Sequence, residues 1–167
     1  MTLSAEQIKH FSQKGYVVIE DALSNSDLDP VIHEYEGFID HKAKDLLTEG
    51  KISDLYENES FERRLASICR EENNVYHQLD IMDVRGRATF GFLRNKNLLD
   101  LVEGIVGPEI MCSPIQHIRG KLPFGTTSNL PVGSMFGSDS HVVPWHQDAG
   151  VTWTEADPYF ILTVWIP

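Results

Sequence analysis

The chain has 167 residues, of which 41% are hydrophobic and 23% charged, proportions typical of one globular domain. The formal net charge of −11, with no basic run, argues against nucleic-acid binding. No apolar segment approaches the roughly 18 residues that span a bilayer, and the first residues do not resemble a secretory signal. With only two cysteines, Cys69 and Cys112, we expect reduced thiols and a cytoplasmic protein without membrane partners.

The N-terminal residues predict a short helix followed by a strand. Ser4 and Gln7 have the spacing of a capping box, in which each side chain bonds the other residue's backbone N–H. Gly15 is placed to end this helix. The β-branched and aromatic run 16–19 then predicts a strand.

Three further helices are predicted before residue 108. The first is capped by Ser26 with Asp27 and Asp29, has Pro30 in its first turn, and has apolar residues recurring at helical spacing up to Ile39. The acidic residues of this helix, together with its histidines, indicate a solvated face; they are Glu34, Glu36 and Asp40, with His33 and His41. The other two helices are predicted over residues 60 to about 79 and over 97–106, the latter ended by Gly107 and Pro108.

From residue 109 onward the sequence favours strands and loops. Residues 110–112 and 115–118 are expected to be extended. The stretch 120–139, rich in glycine, serine and proline, is predicted to be a lid loop. The run 159–166 is apolar on both faces, as in a buried strand. We therefore expect an α+β fold in one domain over 1–167, mainly helical in 1–108 and with its first sheet strands in 109–167.

His146 and Asp148 form the motif of greatest chemical interest. In an extended chain, residues two apart project from the same face, so the imidazole and the carboxylate converge. They would supply two thirds of a 2-His-1-carboxylate triad, which holds Fe(II) and leaves coordination positions open. A lone His-x-Asp pair arises by chance in a chain with 7 histidines. No histidine follows His146, so a second histidine ligand must come from upstream or from outside this chain.

Four segments together resemble one protein family. They are the residues 15–24 (GYVVIEDALS), 106–110 (VGPEI), 145–148 (WHQD) and 162–167 (LTVWIP). In this order they resemble the phytanoyl-CoA dioxygenase family of Fe(II)/2-oxoglutarate-dependent oxygenases. The resemblance extends over nearly the whole chain and corresponds to the N-terminal part of such an enzyme.

The resemblance implies a fold, cofactors and site residues. The fold would be a double-stranded β-helix, the jelly-roll or cupin-like barrel, with the N-terminal helices packed on it. His146 and Asp148 would bind Fe(II), and His117 and Trp165 would contact the co-substrate 2-oxoglutarate, with ascorbate as a possible reductant. The implied reaction is hydroxylation of an unactivated C–H bond in a small-molecule substrate. Halogenating relatives have a small residue in place of Asp148, so its carboxylate favours hydroxylation.

The chain departs from the family at its end. The family's distal histidine and its 2-oxoglutarate-binding arginine follow the segment that ends at Pro167 here. We therefore expect a C-terminally incomplete barrel that is inactive alone and has strand edges open to another chain.

Several alternatives follow from the same residues. If the chain is not such an oxygenase, it would be a non-catalytic jelly-roll binding module or an inactive fragment. A third alternative is a metal hydrolase that uses His146, Asp148 and an upstream histidine. His117 can be a packed or surface histidine, and Trp165 can simply fill a core. His141, on the flank of the lid, could be a stray metal ligand, but its place favours a surface histidine. Arg119 and Lys121 could meet an anionic substrate, but two cations in a chain of net charge −11 more often serve solubility.

Overall fold

The structure is a computed structural model that describes residues 1–72, 75, 78–79, 84, 86–113, 116, 118, 147–148, 154–156 and 158–167. The chain divides into two compact units. The first unit consists of Met1–Ala22, Lys96–Met111 and Val142–Pro167, and the second of Leu23–Asn95 and Cys112–His141. The sequence-based expectation of a single domain stays a prediction.

The described residues contain α-helices whose ends are set by local capping. They are α1 (Ala5–Lys14), α2 (Asn25–Thr48), α3 (Phe61–Cys69), α4 (Arg87–Phe92) and α5 (Lys96–Val106), together with a 3₁₀ turn at Thr154–Ala156. The capping box predicted for α1 is confirmed, because Ser4 and Gln7 bond each other's backbone N–H groups. Gly15 ends α1 with a φ of 80°, in the left-handed region that glycine tolerates without strain.

Helix α2 begins two residues earlier than predicted. Its N-cap is Ser24, whose backbone N–H donates to Asp27 Oδ2 at 2.8 Å, so the carboxylate in the first turn fixes the start. The helix ends in a Schellman motif: the Gly50 N–H donates to the Leu47 carbonyl, and the Lys51 N–H donates to the Leu46 carbonyl. The φ of Gly50 is 70°, as this motif requires.

The second unit has a hydrophobic core built on α2 and α3. Tyr35, Ile39 and Ala43 recur every four residues and so form one buried face of α2. The opposing helix α3 contributes Leu65 and Ile68. The remaining buried members of this cluster are Ile52, Ala66, Cys69, Val75, Leu79 and Val84. Since α3 ends at Cys69, the prediction of one helix reaching Leu79 is wrong in its end point.

Glu34 connects α2 to the start of α4. Its Oε2 accepts the backbone N–H of Ala88 at 2.8 Å, and its Oε1 accepts the N–H of Thr89 at 3.0 Å and the Thr89 hydroxyl at 2.5 Å. The Thr89 hydroxyl also lies 3.2 Å from the buried Tyr35 hydroxyl. Glu34 therefore caps a short helix that has no capping side chain of its own.

The first unit is less well packed in its described part. Leu101 on α5 is its buried hydrophobic residue, and α1 has none. The N-terminal ammonium lies 3.3 Å from Asp100, which also accepts from Lys96 at 2.7 Å. The Phe11 ring contacts Phe160 edge to face, with centroids 6.3 Å apart. Much apolar surface in this unit stays exposed, including Val18, Met111 and Trp165.

The predicted α+β fold is wrong for the described residues, 54% of which are helical and none of which is in a strand. The predicted strands 16–19, 110–112 and 159–166 lack regular structure where described, and so do Gln116 and Ile118 of 115–118. A double-stranded β-helix is therefore not seen. The physical reason is that a strand exists only when its backbone pairs with a neighbour, which composition alone does not provide. No helix in the described part of the chain is both long and apolar enough to cross a membrane.

Candidate functional site

Asp148 is the predicted metal ligand that the structure describes. It lies in the first unit, and its side chain is exposed. The hydroxyl of Thr163 donates a hydrogen bond to Asp148 Oδ2 across 15 residues of sequence. Thr163 belongs to the segment 158–167, which runs without helix or strand to Pro167. The contact therefore joins two of the segments on which the family resemblance was based.

The other predicted site residues have different outcomes. Trp165 is described and is 74% exposed, so it does not pack in a core as the alternative interpretation expected. His146 and His117 lie outside the described residues, as do the lid loop 120–139, His141, Arg119 and Lys121. The structure thus locates one metal-binding and one co-substrate-binding candidate, and the roles of all four site residues stay predictions.

The described residues contain no group of three histidine, cysteine, aspartate or glutamate side chains that could hold a metal ion. One observation nevertheless fits a ligating role for Asp148. Carboxylates that bind metals are usually oriented by a hydrogen bond to an outer-shell partner, and Thr163 provides such a bond. An exposed, oriented carboxylate is a suitable oxygen donor for Fe(II).

Thr163 is the residue that sequence analysis missed. It was seen only as part of the run 159–166, which was interpreted as a buried strand. The available signal was its hydroxyl, the one aliphatic polar group in a run that is otherwise apolar or aromatic. In a strand interpreted as buried, such a hydroxyl would need a hydrogen-bonding partner. In the structure Thr163 is exposed, so burial does not explain its contact with Asp148.

A second carboxylate, Glu71, lies in the second unit and has a structural role. Glu71 accepts hydrogen bonds from the Ser53 N–H and hydroxyl and from the Tyr56 hydroxyl at 2.5 Å. The bond from Tyr56, with those from Ser53, lowers the pKa of the Glu71 carboxyl. The same bond and burial raise the pKa of the Tyr56 hydroxyl. These contacts fasten the loop after α2 to the residues after α3.

A third carboxylate, Asp40, joins α2 to α3. Its Oδ1 accepts from Arg64 at 3.0 Å and its Oδ2 from Lys44 at 2.6 Å. Arg64 also donates through Nε to the Leu55 carbonyl at 3.1 Å. Hydrogen bonds from Lys44 and Arg64 lower the pKa of the Asp40 carboxyl. Because both oxygens pair with cationic side chains, the charge of the Asp40 carboxylate is already compensated within the protein, so we assign it a structural role.

Comparisons of the chain with models of protein families, with curated proteins and with solved structures found no match.

Proposed function

We propose that the protein is an Fe(II)/2-oxoglutarate-dependent oxygenase, similar to the phytanoyl-CoA dioxygenase family. Its reaction would be the hydroxylation of an unactivated C–H bond of a small molecule. The hydrogen bond between Thr163 and Asp148 carries the proposal among the structural observations, because it orients the predicted carboxylate ligand. The other support is the resemblance of four sequence segments. The proposal does not rest on the fold.

His146 and Asp148 would hold the metal, with a neutral imidazole nitrogen and a carboxylate oxygen as donors. Bound Fe(II) together with 2-oxoglutarate would supply the oxidation by O2, and ascorbate would keep the iron reduced. The exposed Asp148 carboxylate is accessible to an ion from solvent. Thr163 would fix the orientation of this carboxylate, and His117 and Trp165 would contact the co-substrate.

A cytoplasmic location is part of the same proposal. Cys69, which is buried, and Cys112, which is exposed, form no disulfide. Free thiols are usual in a reducing compartment, whereas paired cysteines predominate in secreted proteins. This observation supports the cytoplasm.

Metal binding tests the proposal directly. Mn(II), which replaces Fe(II) without oxidising, is titrated against the chain, and free Mn(II) is followed by electron paramagnetic resonance. We expect His146→Ala and Asp148→Asn each to weaken binding at least tenfold, about 1.4 kcal/mol. The matched controls are His10→Ala and Asp29→Asn, both exposed and outside the motif. Equal affinity in all five proteins would overturn the assignment of the ligands.

The second candidate function is that of a non-catalytic binding protein. It is favoured by the lack of a three-residue metal cluster in the described part of the chain. Because we expect this chain to be inactive alone, binding of 2-oxoglutarate, and not its turnover, separates the two candidates. Mn(II)-dependent binding of 2-oxoglutarate that disappears in Asp148→Asn supports the oxygenase. Absence of any Mn(II)-dependent binding of 2-oxoglutarate supports the non-catalytic alternative.

A further inference from the structure

A groove of about 670 Å³ lies between the first half of α2 and helix α4, entirely within the second unit. Small-molecule sites usually have volumes of roughly 300–1,000 Å³ and mainly apolar walls. The apolar lining here comes from Pro30 and Val31 on α2 and from Ala88 and Phe92 on α4. The groove therefore has the volume and the apolar lining of a ligand site, and it is largely open to solvent.

The two carboxylates that line the groove are already compensated by internal donors. Asp27 accepts from the Ser24 backbone N–H at 2.8 Å and from the Asn95 side chain at 2.7 Å. Glu34 accepts from two backbone N–H groups at the start of α4. Both carboxylates thus lie at helix N-termini, where aligned peptide dipoles offset negative charge. Neither needs a cation from a ligand.

The positive charge that lines the groove, on Arg87, has no such internal partner among the described residues. Arg87, the first residue of α4, lines the groove and is exposed, and no described residue forms an ion pair or hydrogen bond with its guanidinium. His33 on the facing helix is likewise exposed and has no described partner. A guanidinium binds a carboxylate through two parallel hydrogen bonds. Among the described residues of the wall, the Arg87 guanidinium therefore offers donors that have no internal acceptor.

We propose that this groove binds a small aromatic carboxylate. The ligand's carboxylate pairs with the Arg87 guanidinium, and its ring lies against Pro30 and Phe92, because offset aromatic contact adds to the burial of apolar area. A single guanidinium matches a single negative charge better than a dianionic phosphate. The site is separate from the motif at His146 and Asp148, and it does not depend on the proposed oxygenase function.

Phenylacetate is the probe for the first experiment. It is titrated into ¹⁵N-labelled protein, and the backbone amide signals of Ala88 and Gly91 are followed by NMR. We expect saturable shifts with a dissociation constant at or below the low millimolar range. Phenylacetamide, which lacks the charge, and acetate, which lacks the ring, are each expected to bind at least tenfold more weakly. No saturation by phenylacetate, or equal binding of phenylacetamide, overturns the proposal.

Two pairs of variants test the location of the site. Gly91 lines the groove, and a Cβ added there meets no atom within 4 Å, so Gly91→Leu should fill the groove without strain and abolish binding. The smaller Gly91→Ala should leave the affinity within about twofold. Arg87→Gln should weaken binding at least tenfold, whereas Arg94→Gln, which lies outside the groove lining, should not. Unchanged binding by Gly91→Leu or Arg87→Gln overturns the assignment.

Discussion

Glu34 and Thr89 join α2 to α4 across 55 residues of sequence, because the Thr89 hydroxyl and backbone N–H both donate to Glu34 Oε1, at 2.5 and 3.0 Å. The neighbouring Ala88 N–H donates to Oε2. The carboxylate thus satisfies N–H groups at the start of α4 that would otherwise have no partner within the helix. Thr89 is itself buried, so its hydroxyl also depends on this contact.

Replacing this carboxylate by an amide should destabilise the second unit. In Glu34→Gln the NH₂ group must face one of the N–H donors, which loses its acceptor. We expect the free energy of unfolding to fall by about 1–3 kcal/mol, because donors on α4, including those of the buried Thr89, lose an acceptor. Urea unfolding followed by circular dichroism measures it. Glu36→Gln, two residues along α2, is the control and should change stability by less than about 0.5 kcal/mol. Equal effects would show that Glu34 has no special role.

The same carboxylate predicts how stability depends on pH. Burial raises the pKa of Glu34, but hydrogen bonds from the Thr89 hydroxyl and from backbone N–H groups outweigh burial, so the pKa lies below its ordinary value. A carboxyl whose pKa is depressed on folding stabilises the protein above its unfolded pKa of about 4.3. This contribution is lost as the pH falls through the folded pKa.

Comparison of wild type with Glu34→Gln isolates this contribution. We expect the difference in unfolding free energy to be constant between about pH 6 and 7, where the carboxyl is ionised in both states. It should shrink as the pH falls below about 4.3, because protonation then removes the advantage of the carboxylate. Urea titrations at several pH values measure this difference. A difference that stays constant down to about pH 3 would contradict the assigned cause of the pKa shift.

Gly37, inside α2, and Gly50, just after its C-terminal end, should respond to alanine with opposite signs. Gly50 has a φ of 70° in the Schellman motif, a conformation that costs a residue with a Cβ about 1 kcal/mol. Gly37 lies inside the helix, and a Cβ there meets nothing within 4 Å. Gly37→Ala should therefore stabilise the protein by about 0.5–1 kcal/mol, while Gly50→Ala destabilises it. Thermal unfolding of the two variants provides the measurement, and a shift of the same sign in both would contradict the prediction.

Sequence analysis located helix ends well where their causes are local. Ser4, Gln7 and Gly15 lie within one or two helical turns of the groups that they bond, so their spacing sufficed for α1. Helix α5 was predicted to begin at residue 97 and begins at Lys96. The start of α2 was misplaced because two serines compete there, and the contact between Ser24 and Asp27 decides between them.

The predictions from sequence that were wrong or incomplete depend on contacts between residues far apart in the chain. Glu34 was assigned to a solvated helix face, although its partners lie 54 and 55 residues away. The runs 16–19 and 159–166 have the composition of strands, but pairing with a neighbouring strand is not encoded in a short run. Thr163 illustrates the same limit, since its partner Asp148 is 15 residues distant and could not be chosen from several carboxylates by spacing.

The last prediction concerns Thr163 and rests on the proposed metal site. Thr163→Val keeps the shape of the side chain but removes the hydroxyl that donates to Asp148. Loss of such an outer-shell partner usually weakens metal binding by about 10- to 100-fold. Thr163→Ser keeps a hydroxyl and should retain the affinity within about threefold. Thr154→Val is the control, because the Thr154 hydroxyl contacts Glu155 instead. Mn(II) titrations of these variants should therefore show weak binding for Thr163→Val alone. If Thr163→Val binds Mn(II) as tightly as wild type while Asp148→Asn does not, then Asp148 is a ligand that needs no orientation by Thr163.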